Sequence, residues 1–168
     1  MLGFTMPIDG KITSPFGIRT APTAGATTFH SGIDISAKLN TPVKAALSGT
    51  VVGANYSSGM GNYVTIDHGD GISSIYKHLS KFTGTIGQKV NEGQIFALSG
   101  NTGVSTGPHL DFTLMQNGKA INPLTFTKEK SVVNAIGLPE VDTSGLLGIA
   151  KTYWWAIAGG LVILAILK

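Results

Sequence analysis

Turn signals recur along residues 1–127 of this chain, and they constrain its fold more than any other feature. Each signal places glycine beside Asp, Asn, Glu or Ser: Asp9-Gly10, Ser48-Gly49, Ser58-Gly59, Gly69-Asp70-Gly71, Asn91-Glu92-Gly93 and Asn117-Gly118. Short runs rich in β-branched and aromatic residues lie between them, including TVVGA (50–54), NYVTIDH (62–68), ISSIYKH (72–78) and QIFALSG (94–100). The GDG triplet is typical of a hairpin turn, and no part of residues 1–127 shows a helical period. The pattern predicts an all-β fold, either a small antiparallel sheet or an open barrel.

Composition limits the kinds of partner and site. The 168 residues suffice for one ordinary domain with an appendage. The net charge is only +3, and no run of Lys or Arg occurs, so we expect no nucleic-acid partner. Because the chain contains no cysteine, disulfides and thiolate metal sites are excluded. Any metal ion must therefore be held by His, Asp or Glu.

The C-terminal end differs from the rest of the chain. Residues 153–167 carry no charge, begin with a Tyr-Trp-Trp triplet and lie between Lys151 and Lys168, as a membrane interface favours. A helix counted from Leu146 would extend about 33 Å, enough to cross a hydrocarbon core of about 30 Å. We therefore expect a membrane anchor helix at 146–168 after a linker at 128–145; a helix buried in an assembly is the alternative. The first residues lack a basic region followed by an apolar one, so no signal peptide is expected.

Alternation in GPHLDFTL (107–114) assigns two chemically different faces to one strand. Side chains on a strand point to opposite faces in turn. The two sets are Leu110, Phe112 and Leu114, and His109, Asp111 and Thr113. The apolar set is predicted to enter the core, and the second set to present a His and an Asp on the opposite face.

FHSGIDIS (29–36) repeats this arrangement. In an extended chain Ile33 and Ile35 point one way, whereas His30 and Asp34 point the other. A His and a carboxylate from each of two strands can converge on one divalent metal ion. Zinc accepts nitrogen and carboxylate oxygen, and a catalytic zinc site usually has three protein ligands and a water.

Taken together, the motifs resemble those of the lysostaphin-type, or LytM-type, zinc endopeptidases, which cut peptidoglycan peptides. The resemblance covers roughly residues 10–124 and preserves the order of the segments ITSPFGIR, FHSGIDIS, TPVKAALSGTVV, GNYVTIDHGDGISSIYKHLS, GQKVNEGQIFALSGNTG and STGPHLDF. It implies a small antiparallel β domain with an active site in a groove over the sheet.

The resemblance also implies residue roles. His30 and Asp34 occupy the H-x-x-x-D motif of metal ligands, and His78, in YKHLS, matches a catalytic histidine. His109 matches the first histidine of the H-x-H motif and is implied to be the second catalytic residue. The third ligand should be the second histidine of that motif, but this chain has Asp111 there. The implied cofactor is one Zn²⁺, with Mn²⁺ or Fe²⁺ as secondary candidates because the ligand set is harder.

Asp111 changes the expected electrostatics without removing a ligand. Two carboxylates make the metal less positive than one would, so a bound water loses its proton less readily. The sequence therefore predicts an active enzyme with a higher pH optimum than its relatives. One of His78 and His109 would take the proton of the attacking water, and the other would stabilise the oxyanion or the leaving group.

Two other residues near the motifs are expected to have structural roles. His68 lies beside the GDG turn, where an exposed or hydrogen-bonded role fits better than catalysis. Arg19, in FGIR, is expected to tie a loop by hydrogen bonds.

Three functions are consistent with the sequence. The first is a peptidoglycan endopeptidase, the second a catalytically degenerate domain that binds cell wall or a partner, and the third a structural, membrane-anchored component of a virion or envelope complex. We expect a virion location, with the enzyme opening the wall locally during phage entry; a bacterial membrane protein facing the wall is the alternative. Expected partners are peptidoglycan, a lipid membrane through residues 146–168, and other virion proteins.

Overall fold

The computed structural model describes residues 3–125 of the chain. The chain divides after Lys128 into two units, and the described residues all belong to the first. The predicted linker at 128–145 and the predicted anchor helix at 146–168 lie outside the described residues. Within residues 3–125, no helix has both the length and the apolar character that a membrane crossing requires.

Short strands make up the regular structure of residues 3–125, together with one 3-10 turn at Pro123–Thr125. Their bounds are β1 (Ile12–Ser14), β2 (Gly17–Ile18), β3 (Phe29–His30), β4 (Ile33–Ser36), β5 (Pro42–Lys44), β6 (Gly49–Ser57), β7 (Gly61–Gly69), β8 (Ile72–Phe82), β9 (Lys89–Val90), β10 (Ile95–Ser99), β11 (His109–Gln116) and β12 (Lys119–Ile121). Three of the four runs identified in the sequence lie within β6, β7 and β8, and the fourth, 94–100, extends one residue beyond each end of β10. The GDG turn joins β7 to β8 with Gly69, Asp70 and Gly71 at positive φ.

Ten of these strands form one antiparallel sheet. Its main path runs β1-β4-β11-β8-β7-β6-β9, β12 pairs with β11, and β10 bridges β5 and β8. Strands β2 and β3 form a separate pair. The predicted all-β antiparallel fold is confirmed. Within the described part of the chain the two ends of the path, β1 and β9, do not pair with each other, so the sheet is open rather than a closed barrel.

The core lies on one face of β4 and β11, as the alternation predicts. Ile33, Ile35, Leu110, Phe112 and Leu114 are all 0% exposed. Burying five such side chains removes about 1.5–3 kcal/mol of unfavourable apolar hydration for each one. This packing fixes the register of both strands, because a shift by one residue would turn every apolar side chain to the other face.

The opposite face of β11 is less open than the sequence pattern indicates. Asp111 and Thr113 are only 7% and 2% exposed. The segment between β3 and β4 crosses this face closely: a Cβ on Gly32 would lie 2.5 Å from the carbonyl oxygen of Phe112 and 2.7 Å from Asp111 Oδ1. The polar face is therefore a covered site and not a solvated surface.

A β-bulge interrupts β8 next to this site. The register with β7 shifts between Asn62, which pairs with Leu79, and Val64, which pairs with Tyr76. His78 takes a positive φ of 59° inside the bulge, a conformation that is uncommon outside glycine. Tyr76 and Leu79, three residues apart, both enter the core, so Lys77 and His78 both point to the polar face. Bulges commonly redirect side chains in this way beside active sites.

Candidate metal centre and catalytic groove

A row of charged residues crosses three neighbouring strands. Asp111 on β11 pairs directly with Asp34 on β4 on one side and with Lys77 on β8 on the other. Directly paired residues of antiparallel strands point to the same face, so the three side chains lie side by side. His30, at the end of β3, completes the group from above the row and is 2% exposed.

His30, Asp34 and Asp111 form a group able to hold a metal ion. Each offers a ligand atom, and these atoms lie within 4.8 Å of one another. His30 Nε2 is 3.3 Å from Asp34 Oδ1 and 3.5 Å from Asp111 Oδ2. This nitrogen is buried and has no hydrogen-bond partner among residues 3–125. A buried ring nitrogen directed at two carboxylates without a hydrogen bond fits a cation, and one imidazole with two carboxylates is a donor set that zinc accepts.

The three histidines of the site share one orientation. Each brings Nδ1 to a backbone carbonyl oxygen: Pro15 at 3.1 Å from His30, Thr102 at 2.7 Å from His78, and Gly107 at 2.7 Å from His109. Because a carbonyl only accepts, Nδ1–H is the donor in each case. In the neutral form of each ring, Nε2 therefore carries the lone pair and faces the carboxylates, the arrangement that a metal ligand or a general base requires.

His78 and His109 lie together on the open side of the carboxylates. Their ring centroids are 4.7 Å apart. His109 Nε2 is 3.6 Å from Asp34 Oδ1, and His78 Nε2 is 4.0 Å from Asp111 Oδ2. Both rings line a groove of about 400 Å³, which also contains Asp34 and Asp111. The structure thus brings all five residues singled out in the sequence into one site.

Two cations flank the carboxylates. Arg19 donates from Nη1 to Asp34 Oδ2 at 3.0 Å and to the hydroxyl of Ser14. Lys77 donates from Nζ to Asp111 Oδ1 at 3.2 Å and Oδ2 at 3.1 Å. Arg19 does tie a loop to the sheet, as expected, and it also contacts a predicted ligand. Lys77 was not identified from the sequence, because strict alternation along YKHLS would place it on the face opposite His78.

The carboxylates and His30 influence one another's ionisation. Burial alone would lower the pKa of His30, but close contact with Asp111 and Asp34 and their negative charges raise it to about 9. Burial acts to raise the pKa of Asp111, but His30 and Lys77 lower it to about 2. Burial likewise opposes ionisation of Asp34, and its contact with His30 brings the pKa below the ordinary value. The two carboxylates and His30 therefore stabilise one another's charged forms.

His78 has the opposite tendency. Burial lowers its pKa, His109 adds to this effect, and the hydrogen bond to Thr102 opposes it. A histidine that stays neutral near pH 7 can accept a proton, so the ionisation of His78 suits a general base.

The fourth histidine lies elsewhere and has a structural role. His68 contacts the carbonyl oxygen of Ser48 through Nδ1 at 2.9 Å and the hydroxyl of Ser74 through Nε2 at 2.8 Å. Neither contact involves the groove, which agrees with the interpretation from the sequence.

Comparison with known proteins identifies the family. Residues 28–123 match the model of Peptidase family M23. The fold and the site describe a metallopeptidase-like β domain, and the chain belongs to Peptidase family M23.

Curated relatives share this domain within longer proteins. The chain is 45% identical over 119 residues to an uncharacterized metalloprotease of Haemophilus influenzae, covering 70% of this chain and 25% of that protein. It is 40% identical over 121 residues to the peptidoglycan DD-endopeptidase ShyA of Vibrio cholerae, covering 70% and 28%. The chain therefore spans about a quarter of the length of these relatives.

Solved structures with the same fold include peptidases and a protein complex. A zinc-containing peptidase from Vibrio cholerae superposes with a TM-score of 0.67 at 33% identity, covering 73% of this chain and 39% of that one. The catalytic domain of lysostaphin from Staphylococcus simulans gives 0.64 at 37% identity, covering 70% and 91%. A chain from the SpoIIIAH–SpoIIQ complex gives 0.67 at 31% identity, covering 74% and 100%.

Proposed function

We propose that this chain is a metal-dependent endopeptidase that cleaves peptide bonds in bacterial peptidoglycan. The observation that carries the proposal is the group of His30, Asp34 and Asp111 beside two histidines in one groove. Membership of Peptidase family M23 supports hydrolysis of peptide bonds. The peptidoglycan DD-endopeptidase ShyA and lysostaphin, both similar to this chain, support the cell wall as substrate.

His30 Nε2, an oxygen of Asp34 and an oxygen of Asp111 would hold the ion, and zinc is the proposed metal. A zinc ion in such a site acts as a Lewis acid on a carbonyl and makes a bound water more acidic. Arg19 donates a hydrogen bond to the Asp34 carboxylate, and Lys77 donates to the Asp111 carboxylate. Since a carboxylate replaces the histidine of the family motif, the centre is less positive unless another cation offsets that charge.

His78 and His109 would transfer the proton of the attacking water and stabilise the negative charge that develops on the carbonyl oxygen. Their Nε2 atoms face the carboxylates from the groove, and carbonyl oxygens hold both Nδ1–H groups. His78, with its lowered pKa, suits the role of base that takes a proton from the attacking water. His109, nearer Asp34, suits stabilisation of the oxyanion and proton delivery to the leaving amine.

Digestion of purified peptidoglycan tests this proposal. The full chain, loaded with zinc, should release peptide fragments that mass spectrometry assigns to cleavage of one bond type. His109→Ala should slow release by a factor of about 10²–10⁴, the usual contribution of a positioned acid or base. His68→Gln is the matched histidine control and should digest at the parental rate. A zinc-loaded parent that releases no more product than His109→Ala would refute the catalytic proposal.

The fold of the SpoIIIAH–SpoIIQ complex favours one alternative. The superposition includes the full length (100%) of a chain of that complex, so this fold also occurs in a protein assembly. The second candidate is therefore a catalytically degenerate domain that binds cell wall or a protein partner. Metal analysis separates the two candidates: less than one ion per chain after dialysis at neutral pH, with retention on insoluble peptidoglycan, supports the alternative.

We further propose a membrane-associated location in a virus particle. The apolar run at 153–167 supports a membrane partner. An enzyme carried in a particle would reach the wall from outside during entry, together with other virion proteins. Detection of the chain by mass spectrometry in extensively washed particles would support this location. Its recovery only in bacterial membranes would support a cellular hydrolase that faces the wall.

A further inference from the structure

Lys77 is a buried charged residue that the proposed chemistry does not use. Its side chain is only 10% exposed, although lysine rarely loses its contact with water. Its ammonium lies within 3.2 Å of both oxygens of Asp111. A buried lysine remains charged only beside a well-placed anion, and Asp111 is that anion here.

Backbone geometry delivers Lys77 to this position. Residue pairing places Lys77 directly across from Asp111, whose other neighbour is Asp34. Two carboxylates facing each other on adjacent strands repel, so each needs a cation. Arg19 forms an ion pair with Asp34 Oδ2, and Lys77 forms one with Asp111. The oxygens nearest His30 Nε2 are Asp34 Oδ1 and Asp111 Oδ2.

We propose that Lys77 is a positioning residue of the metal centre, which holds the Asp111 carboxylate toward His30 and offsets the negative charge that this aspartate adds. The Lys77–Asp111 pair then acts as one nearly neutral unit at the position where the family motif has a histidine. The inference rests on the proposed metal-dependent function and deepens it. It also revises the expectation that two carboxylates make a metal-bound water less acidic, because Lys77 neutralises the charge of the second carboxylate.

Charge coupling between the two positions gives the inference a distinctive signature. With Asp111 present, Lys77→Met removes one of the two basic groups beside a buried carboxylate, so the melting temperature should fall by several degrees. With Asp111→His, the ammonium is instead left without its anion, so adding Lys77→Met should raise the melting temperature. Met is chosen because it keeps most of the apolar volume of Lys77. The sign of the change in melting temperature on Lys77→Met therefore depends on residue 111. A change in packing alone would not produce this dependence.

Metal binding supplies a second readout. A positive charge beside the site repels the ion, and we expect this repulsion to outweigh the looser orientation of Asp111. Lys77→Met should therefore bind Zn²⁺ about tenfold more tightly in competition with a chelating dye. The visible spectrum of the Co²⁺-loaded variant should differ from that of the parent, because the Asp111 carboxylate loses the donor that fixes its orientation. Lys77→Arg, which keeps the charge and can bind both oxygens, should retain the parental affinity.

The experiment compares four full-length proteins: the parent, Lys77→Met, Asp111→His and the double variant. If Asp111→His does not fold, Asp111→Asn replaces it, since it removes the charge and keeps the shape. The inference would be overturned if Lys77→Met changed the melting temperature equally in the parent and in Asp111→His, and left the zinc affinity and the Co²⁺ spectrum unchanged. A parent that binds no divalent ion would overturn the metal-dependent function and this inference together, whereas a zinc-binding parent with an uncoupled pair overturns the inference alone.

Discussion

At the scale of single residues, two basic neighbours compensate for the negative charge that Asp111 adds at a position where the family motif has a histidine. An aspartate paired across the sheet with Asp34 would be unfavourable alone, since like charges face each other. Lys77 on the next strand and His30 above the pair lower the pKa of Asp111 to about 2, against the effect of burial. The Asp111 carboxylate is therefore ionised near neutral pH.

His68 allows a prediction about pH that is separate from the metal centre. Burial lowers its pKa, opposed by the Ser48 hydrogen bond and the charge of Asp67. The unfolded chain thus binds this proton at a higher pH than the folded one. Stability from neutral His68 is present above about pH 6.5 and is lost as the pH falls through that value. The melting temperature should accordingly fall between about pH 7.5 and pH 5.5, and less so in His68→Gln.

Comparing pH slopes rather than absolute stabilities isolates this effect. His68→Gln can still donate to Ser48 and accept from Ser74, so a change in its overall stability is secondary. Equal slopes for the parent and for His68→Gln would show that His68 does not titrate differently on folding.

At the scale of strands, the alternation of side chains correctly predicted the core residues of β4 and β11 but not the faces of Lys77 and His78 at the bulge in β8. The periods of β4 and β11 correctly assigned Ile33, Ile35 and Leu110 to the interior, because a buried apolar face imposes strict alternation. The same rule separates Lys77 from His78, but the positive φ of His78 directs both into the site. Histidine is enriched at positive φ among residues other than glycine, but such cases are still uncommon, so the residue type alone does not mark this conformation.

The crossing of the β3–β4 segment over β11 predicts a sensitive glycine. A Cβ on Gly32 would lie 2.5 Å from the carbonyl oxygen of Phe112 and 2.7 Å from Asp111 Oδ1, closer than atoms can approach. Gly32→Ala should therefore lower the free energy of unfolding by about 1–3 kcal/mol, as overpacking usually does. It should also weaken zinc binding, since Asp111 is displaced. Urea denaturation and dye competition measure the two effects.

Gly59→Ala is the matched control for this substitution. A Cβ at Gly59 would meet no atom within 4 Å, and its backbone is not at positive φ. The control should change the free energy of unfolding by no more than about 0.5 kcal/mol. If Gly32→Ala behaves like Gly59→Ala, the close approach of the two segments is not rigid enough to constrain the site.

At the scale of the whole molecule, metal binding should be linked to folding. The proposed ligands come from β3, β4 and β11, which are brought together only in the folded sheet. An ion that binds only the folded form stabilises it, by about 2.7 kcal/mol at a hundred times the dissociation constant. Zinc should therefore raise the melting temperature of the parent by roughly 5–10 °C, and EDTA should reverse the increase. His30→Gln should show no response, and a parent that does not respond either would contradict the assignment of the site.

The second prediction at this scale concerns the C-terminal segment. The apolar run at 153–167 lies between Lys151 and Lys168 and begins with Trp154 and Trp155 after Tyr153, as expected at a membrane interface. The full chain should therefore float with phosphatidylcholine vesicles in a density gradient, and high salt should not release it, because apolar burial is insensitive to charge screening. A variant that ends at residue 127 should stay at the bottom, with circular dichroism confirming its β structure. A full chain that remains with it, as a large oligomer in size-exclusion chromatography, would instead support a helix buried in an assembly.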